Sequence, residues 1–393
     1  MKNTNIPAGS RNLAFTQSPK AEENLLEAVA VKADHRDNNF DFLRLALSVL
    51  VLYCHSYQLF YGYNCDPLQQ VTDGQISFGA FAVNGFFSIS GFLVAQSWLR
   101  SRGLLDYTKR RVLRIYPGFI VVLLLGMLVV GPLSGVNVHA YFHNSATYKY
   151  MTNVFLTYCK LPGVFPTNPY PWESNGSLWT IRYEILCYIG VALFGMAQLL
   201  KRNAIAVLWV VVFAFYIFVH IHPLSFSYTG GSTHVARLLN FFMPGIGSPE
   251  QLLRLTISFL SGTLFGLWNE RNRYSNIGIV ISLLAMVVAC HFQLIWYVLG
   301  LCQTYLLFAI AFHPKIRLQF VGKKGDYSYG VYLYAFPIQQ LLMHYFGHDL
   351  NQTCYFLSAL VFTMIAAYLS WHLVERPALS LIPSRRRPIT GTS

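Results

Sequence analysis

Arg44 and His55 are the first residues in the chain whose types and spacing could do chemistry together. They stand in an otherwise apolar run, Asp41-Phe-Leu-Arg44-Leu-Ala-Leu-Ser48-Val-Leu-Val-Leu-Tyr-Cys-His55. On a helix, at about 100° per residue, positions eleven apart return to within about 20° of each other. The rise of about 1.5 Å per residue sets His55 about 16 Å further along. Asp41 and Ser48 fall near the same face, so one polar stripe runs along the element. A neutral imidazole takes a proton near pH 7, which suits His55 to general-base work. Arg44 would then orient an anion or the base. The plainer reading makes Arg44 a snorkelling side chain and spends His55 on a helix–helix hydrogen bond.

Two further clusters invite chemistry. In Ser177-Leu-Trp179-Thr-Ile-Arg182-Tyr-Glu184-Ile-Leu-Cys-Tyr188, Glu184 and Tyr188 share a helix face at a spacing of four, as do Trp179 and Tyr183. Arg182 and Glu184, two apart, point different ways, so each requires its own partner. In Lys109-Arg110-Arg111-Val-Leu-Arg114-Ile-Tyr116-Pro117, Arg111 and Arg114 are one turn apart and could clamp phosphates together. The simpler account is a basic loop flanking a membrane span. There is no His/Cys/Asp/Glu cluster with metal-ligand spacing, no glycine-rich phosphate loop and no nucleophile elbow. Of seven cysteines, Cys54, Cys187, Cys290 and Cys302 read as small hydrophobes. Cys65, Cys159 and Cys354 fall near one face, where a disulfide could form in a pairing the sequence leaves open.

The elements that must position these residues follow from composition. Of 393 residues, 54% are hydrophobic and 11% charged, against about 25% charged in ordinary soluble domains. Mean hydropathy is +0.41. A helix crossing the hydrocarbon needs about 20 apolar residues. Ten such stretches can be read, at 42–61, 78–98, 116–133, 178–199, 204–221, 251–268, 276–292, 294–312, 327–346 and 354–375. The fold class is therefore all-α, a polytopic membrane protein of about ten transmembrane helices. The formal net charge of +13 tests the count. With a cytoplasmic amino terminus and alternating helices, 23 of the 29 Lys and Arg residues fall inside. Three (Lys149, Lys160, Arg237) fall outside, and Arg44, Arg182 and Arg254 lie in or at the ends of spans. That bias places both termini in the cytoplasm. It also gives the basic charge a topological cause and leaves no nucleic-acid partner to invoke. Residues 1–38 read as a flexible cytoplasmic tail without the apolar core of a cleavable signal. Residues 39–377 form the membrane domain and 378–393 a basic cytoplasmic tail. Segment 134–177 is long, aromatic and proline-rich, suited to stacking on sugars and equally to packing over the helices.

Taken together, these residues resemble the acyltransferase-3 family of integral membrane acyltransferases, from about Asn39 to Pro377. Arg44 and His55 with ten residues between them are similar to its first-helix signature. Phe86-Phe-Ser-Ile-Ser-Gly91-Phe-Leu, Arg111-Val-Leu-Arg114-Ile-Tyr-Pro117 and Ser177-Leu-Trp179 with Glu184 and Tyr188 resemble further motifs, in the family's order. So do Ser328-Tyr-Gly-Val-Tyr332-Leu and Glu375-Arg-Pro377. One departure is Ala335, where many relatives carry a histidine, so no second histidine role is assigned there.

The resemblance implies transfer of an acyl group, usually acetyl, from cytoplasmic acetyl-CoA to a hydroxyl of a cell-surface or exported carbohydrate, in the inner (plasma) membrane. Acyl-CoA is then the donor substrate, with no bound cofactor and no metal. On this reading His55, Arg44 and Glu184 are the catalytic candidates, and Glu184 holds the His55 tautomer or binds acceptor hydroxyls. Arg111 and Arg114 bind the donor, and Ser48, Trp179 and Tyr188 support the site or the acceptor. Membrane lipid surrounds the chain. Some relatives carry a soluble hydrolase-like domain after the last helix. Here about 18 residues follow Glu375, so the chain acts alone or hands acyl groups to a separate periplasmic partner. Two other classes compete: a transporter or flippase of a glycan or small solute, and a membrane scaffold without chemistry.

Overall fold

The computed structural model describes residues 38–62, 66–157, 159–221, 249–268, 274–347 and 349–382. The expected amino-terminal tail, Cys65, most of segment 222–250 and the end of the basic tail lie outside these. Among the described residues there is no strand, and ten helices are 16 residues or longer. They are α1 (Phe40–Tyr61), α2 (Phe78–Arg100), α3 (Leu104–Leu125), α4 (Trp179–Met196), α5 (Arg202–Ile221), α6 (Pro249–Leu267), α7 (Asn276–His291), α8 (Ile295–Ala311), α9 (Ser328–Phe346) and α10 (Gln352–Ser370). Each overlaps one of the ten apolar stretches, and α3 alone starts well before its own, at 104 against 116. Five elements, built on α1, α2, α3, α5 and α10, are long and apolar enough to cross a membrane. The outward faces of α5, α7 and α10 expose Val207, Val210, Ile277, Val287, Val361 and Phe362, an apolar rim that water would disfavour and lipid accepts.

One expectation is corrected. The basic stretch Lys109–Pro117 is helical, the first half of α3, and not a loop. Gly103, at φ +152, breaks the chain just before it. Asp106 and Arg110 pair at i, i+4 across 3.1 Å. The Tyr107 ring is buried against Trp98, with its hydroxyl donating to the Tyr188 carbonyl at 2.8 Å. Beyond Leu125 the helix widens into a π-helical turn at Gly126–Val130.

The bundle is built on the crossing of α2 and α6. A Cβ placed on Gly91 would collide with the Phe259 carbonyl, and one on Gly262 with the Ser88 carbonyl. With the two backbones this close, small side chains bond across the gap. Thr263 Oγ1 donates to the Gly91 carbonyl at 3.2 Å, and Ser258 Oγ to Asn84 Oδ1 at 3.0 Å. Thr304 of α8 donates to Ser88 Oγ at 2.7 Å. At the start of α1, its N-cap residue Asn39 staples the segment after α8. Its Nδ2 donates to the carbonyls of Ile310 and Ile316, each at 2.9 Å, and its Oδ1 accepts from Leu318 N at 2.9 Å. Gly322 then packs so tightly on Asp41 that a Cβ would overlap the carboxylate. The loop leading into α9 is thereby held at the start of α1.

Gly91→Leu is expected to destabilise the bundle by at least about 1–3 kcal/mol, the range for overpacking, because the obstacle is backbone. Gly190→Ala in α4, whose Cβ would meet nothing within 4 Å, serves as the neutral control. Thermal unfolding of the detergent-solubilised protein, followed by size exclusion, separates the two; equal melting temperatures would refute the close-crossing account.

Candidate active site

A cavity of about 110 Å³ opens where α1, α2, α3, α4 and α9 converge. Arg44, Arg111 and Arg114 line it, with Glu184, Tyr188, Ser90, Thr180, Tyr329 and Tyr332; the remaining wall is mostly apolar. The first-helix arginine, the arginine pair and the fourth-helix carboxylate, all singled out by spacing, therefore meet in one place. Three guanidinium groups and one carboxylate line the wall, and Asp41 and Asp326 pair with two of the arginines from behind it. Buried charges of this kind require such partners.

Each guanidinium is held differently. Arg44 pairs with Asp41 on its own helix and, at 3.1 Å, with Asp326. Arg114 pairs with the same Asp326 oxygen and lies 5.9 Å from the Tyr329 ring centroid. Arg111 donates to Ser97 Oγ at 3.1 Å and sits over the Tyr188 ring at 5.6 Å. The Nε atoms of Arg44 and Arg111 are buried without a hydrogen-bond partner. Glu184 accepts from the Tyr188 hydroxyl and from Ser90 Oγ at 3.3 Å. The far end of the cavity is closed by hydroxyls. Tyr332 meets Thr180 Oγ1 at 2.5 Å and donates to the Ser177 carbonyl at 2.9 Å.

His55 stands apart from this cavity. Its ring meets the edge of Phe336 at 5.1 Å between centroids, and Phe336 is one turn beyond Tyr332 on α9. Its Nδ1 is buried with no partner, so Glu184 does not hold its tautomer. The other candidates are placed as follows. Ser48 donates to the Leu45 carbonyl of its own helix at 2.8 Å. Trp179 packs on Tyr183 at 5.6 Å, outside the cavity wall. Arg182 lines a separate small cavity with Phe119 and Asn153, so it faces away from Glu184 as the spacing requires. Cys159 and Cys354 are free thiols.

The segment before α4 is built into the bundle over this region. Pro337 has no N–H to give to the Leu333 carbonyl. Asn175 supplies the missing donor, its Nδ2 reaching Leu333 O at 2.9 Å, while its Oδ1 accepts from Ser177 N at 3.1 Å. Gln340 fastens the chain further, donating to the carbonyls of Tyr170 and Glu173 at 2.8 Å each and accepting from Asn168 at 2.7 Å. Gly176 leaves room for the Phe336 ring, which a Cβ would meet at 2.7 Å. Of the two uses foreseen for segment 134–177, packing over the helices is the one observed.

Asp326 is the residue that sequence reasoning missed. It lies 212 residues from Arg114, in a stretch that reads as an ordinary charged connection. The only local signal is its position two residues before a helix start, where its Oδ1 accepts from Ser328 Oγ at 2.5 Å and Ser328 N at 3.3 Å. Burial alone would raise its carboxyl; the Arg114 and Arg44 guanidinium groups outweigh that and hold it well below the usual carboxylate range. Glu375 lies near the same group, attracted to Arg114 and bonded to Ser370 Oγ at 2.8 Å.

The comparisons with known proteins bear on what this site does. An acyltransferase-3 model, described as an acyltransferase domain, matches residues 37–372. The chain belongs to this acyltransferase family. It is similar to an O-acetyl transferase of Shigella phage Sf6, 31% identical over 354 residues that cover 88% of this chain and 97% of the relative. It is also similar to Nodulation protein 10 of Rhizobium leguminosarum bv. viciae, 27% identical over 381 residues covering 88% and 94%. No solved structure matches. The family settles the class in favour of an acyltransferase over a transporter or a scaffold.

Two expectations follow from this geometry. Asn175→Ala leaves the Leu333 carbonyl unsatisfied and should cost about 1–3 kcal/mol. In a Pro337→Ala background, where the helix supplies that donor itself, the same change should cost markedly less. A double-mutant cycle on thermal stability measures the coupling, and strict additivity would refute it. Asp326 contributes stability that is full above the ordinary carboxylate pKa of about 4. That contribution is lost as pH falls through its lower folded value. The stability gap between wild type and Asp326→Asn should thus hold at neutral pH and close on acidification.

Proposed function

We propose that the enzyme is an O-acetyltransferase of ten membrane spans, with both termini in the cytoplasm of a cell whose inner membrane it occupies. It takes acetyl from acetyl-CoA and gives it to a hydroxyl of a cell-surface or exported carbohydrate. The observation that carries this reading is the convergence of Arg44, Arg111 and Arg114 on one cavity, two of them with an unpartnered buried Nε. Coenzyme A carries several phosphate charges, and planar guanidinium groups bind phosphate in a forked geometry. The charge bias of the loops supports a cytoplasmic position for this end of the bundle, the side on which acetyl-CoA is made. The printed name of the phage relative, an O-acetyl transferase, supports the acyl group and the kind of acceptor atom.

The chemistry follows from the residues. A sugar hydroxyl is a poor nucleophile and requires a base within hydrogen-bond reach. His55, about 16 Å along α1 from Arg44, takes the hydroxyl proton as the oxygen attacks the thioester carbonyl. The carbon–sulfur bond then breaks, the protonated His55 returns the proton to the coenzyme A thiolate, and the ester leaves with the acceptor. Arg111 and Arg114 hold the phosphates, and the contact of Tyr332 with Thr180 that closes the cavity opens to let the pantetheine arm reach Phe336 and His55. Glu184, bonded to Tyr188 and Ser90, lines the path and orients polar groups of the donor. The chain either completes this transfer alone or hands the acyl group to a separate periplasmic partner.

The test is release of free thiol from acetyl-CoA by membranes containing the protein, paired with NMR of O-acetyl esters on surface glycans. His55→Ala should lower kcat by about 100-fold or more, the range for loss of a general base, with little change in donor KM. Arg114→Ala should raise donor KM about tenfold or more. Undiminished turnover in His55→Ala would remove it from the chemistry; an unchanged donor KM in Arg114→Ala would remove the phosphate clamp.

A further inference from the structure

We propose that Asp326 is a positioning residue for the donor site, binding Arg44 of α1 and Arg114 of α3 into one rigid unit that faces the cavity. The inference rests on the donor reading above. The Asp326 carboxylate is fully committed. Oδ1 is tied to Ser328, at the start of α9, by hydroxyl and backbone N–H. Oδ2 takes Nη2 of Arg44 at 3.1 Å and Nη2 of Arg114 together. Two guanidinium groups that share one oxygen would repel each other without the charge between them. Asp326 is absent from the cavity wall while both arginines line it, so it acts through them and does not meet the donor.

The arrangement also fixes which arginine atoms remain for a ligand. Arg44 spends Nη2 on Asp41 and Asp326 and keeps a buried, unpartnered Nε. Asp41 cannot replace Asp326, because it belongs to the same helix as Arg44 and bridges to no other element through that pair. Rotation of the Asp326 carboxylate would release the Ser328 anchor. The carboxylate therefore sets both the separation and the direction of the two cations, and a neutral side chain of the same size would set neither.

The experiment compares wild type, Asp326→Asn, Asp326→Glu and Arg114→Ala as full-length chains. Apparent KM and kcat for acetyl-CoA are read by thiol release in membranes of the native host, and coenzyme A binding by calorimetry in nanodiscs. Asp326→Asn should raise the acetyl-CoA KM and the coenzyme A Kd together by roughly tenfold to a hundredfold, the effect of losing a charge-assisted hydrogen bond, with kcat within about twofold. Asp326→Glu, which restores the charge, should recover most of the loss. An unchanged KM in Asp326→Asn beside a raised KM in Arg114→Ala overturns the role of Asp326 and leaves the donor reading standing. A lowered KM overturns it too, since Asp326 would then be an anion that competes with the donor. An unchanged KM in Arg114→Ala overturns the donor reading itself. If Asp326→Asn does not accumulate, Ser328→Ala removes the hydroxyl bond to Oδ1, leaves the longer backbone N–H bond and keeps the charge. It should raise the same KM about threefold or more, the low end of what one hydrogen bond contributes, and no change there counts against the proposal.

Discussion

Burying positive charge among apolar helices is the constraint on which this molecule turns. An isolated ion carries a penalty of several kcal/mol on leaving water, even after relaxation. Arg44, Arg111 and Arg114 are nevertheless brought to one cavity. The cost is met locally by Asp41 and at long range by Asp326, and the long-range partner shapes the fold. To reach Arg44 and Arg114, the chain after α8 must return to the start of α1. Asn39 holds it there through two carbonyls and one N–H, and Gly322 lets it lie against Asp41. The start of α9 is placed by the same carboxylate that joins the arginines. Electrostatics and topology are one problem here, solved by one residue.

Around that point the bundle is stiffened by contacts that ordinary hydrophobic packing does not supply. Lipid tails are as apolar as leucine, so helices in a bilayer associate through close backbone approach and hydrogen bonds. The α2–α6 crossing uses Gly91 and Gly262 for the first and Thr263, Ser258 and Asn84 for the second. On the other side, Pro337 interrupts α9 and Asn175 fills the vacancy. The interruption is what allows a loop to be stitched into the helices, because the freed carbonyl accepts a side chain from outside. Gln340, three residues on, extends the seam.

How far this was legible in the sequence depends on the range of the interaction. Apolar length is a local sum, so each of the ten long helices overlaps a stretch that composition marked, α3 alone beginning well before its own. Helical spacing is also local, and it correctly grouped Arg44 with Asp41 and Glu184 with Tyr188, and separated Arg182 from Glu184. The reading of Lys109–Pro117 as a loop failed for a physical reason. A basic, amphipathic stretch looks like a flank when judged by hydropathy, but its buried Tyr107 and its Asp106–Arg110 pair make it the first turns of α3. Asp326 and the Asn175–Leu333 bond were beyond reach because each joins residues more than 150 positions apart. Nothing in the local pattern distinguishes such an aspartate from a solvated one.

The separation of His55 from the arginine cavity bears on the proposed reaction. Had His55 lined the same cavity, phosphates and thioester would have to crowd into about 110 Å³. Instead, α1 sets the imidazole three turns beyond Arg44, and α9 runs beside it with Tyr332 and Phe336 one turn apart. Tyr332 closes the cavity through Thr180 and the Ser177 carbonyl; Phe336 covers His55. On the proposed reading, a donor with its charge at one end and its thioester at the other matches that spacing. The charged end requires the guanidinium groups near the membrane surface, and the reactive end requires a base where an acceptor from the far side can reach it. On that reading the part of α1 from Arg44 to His55 spans the distance between the two demands, and the two residues share a helix face without lining one pocket.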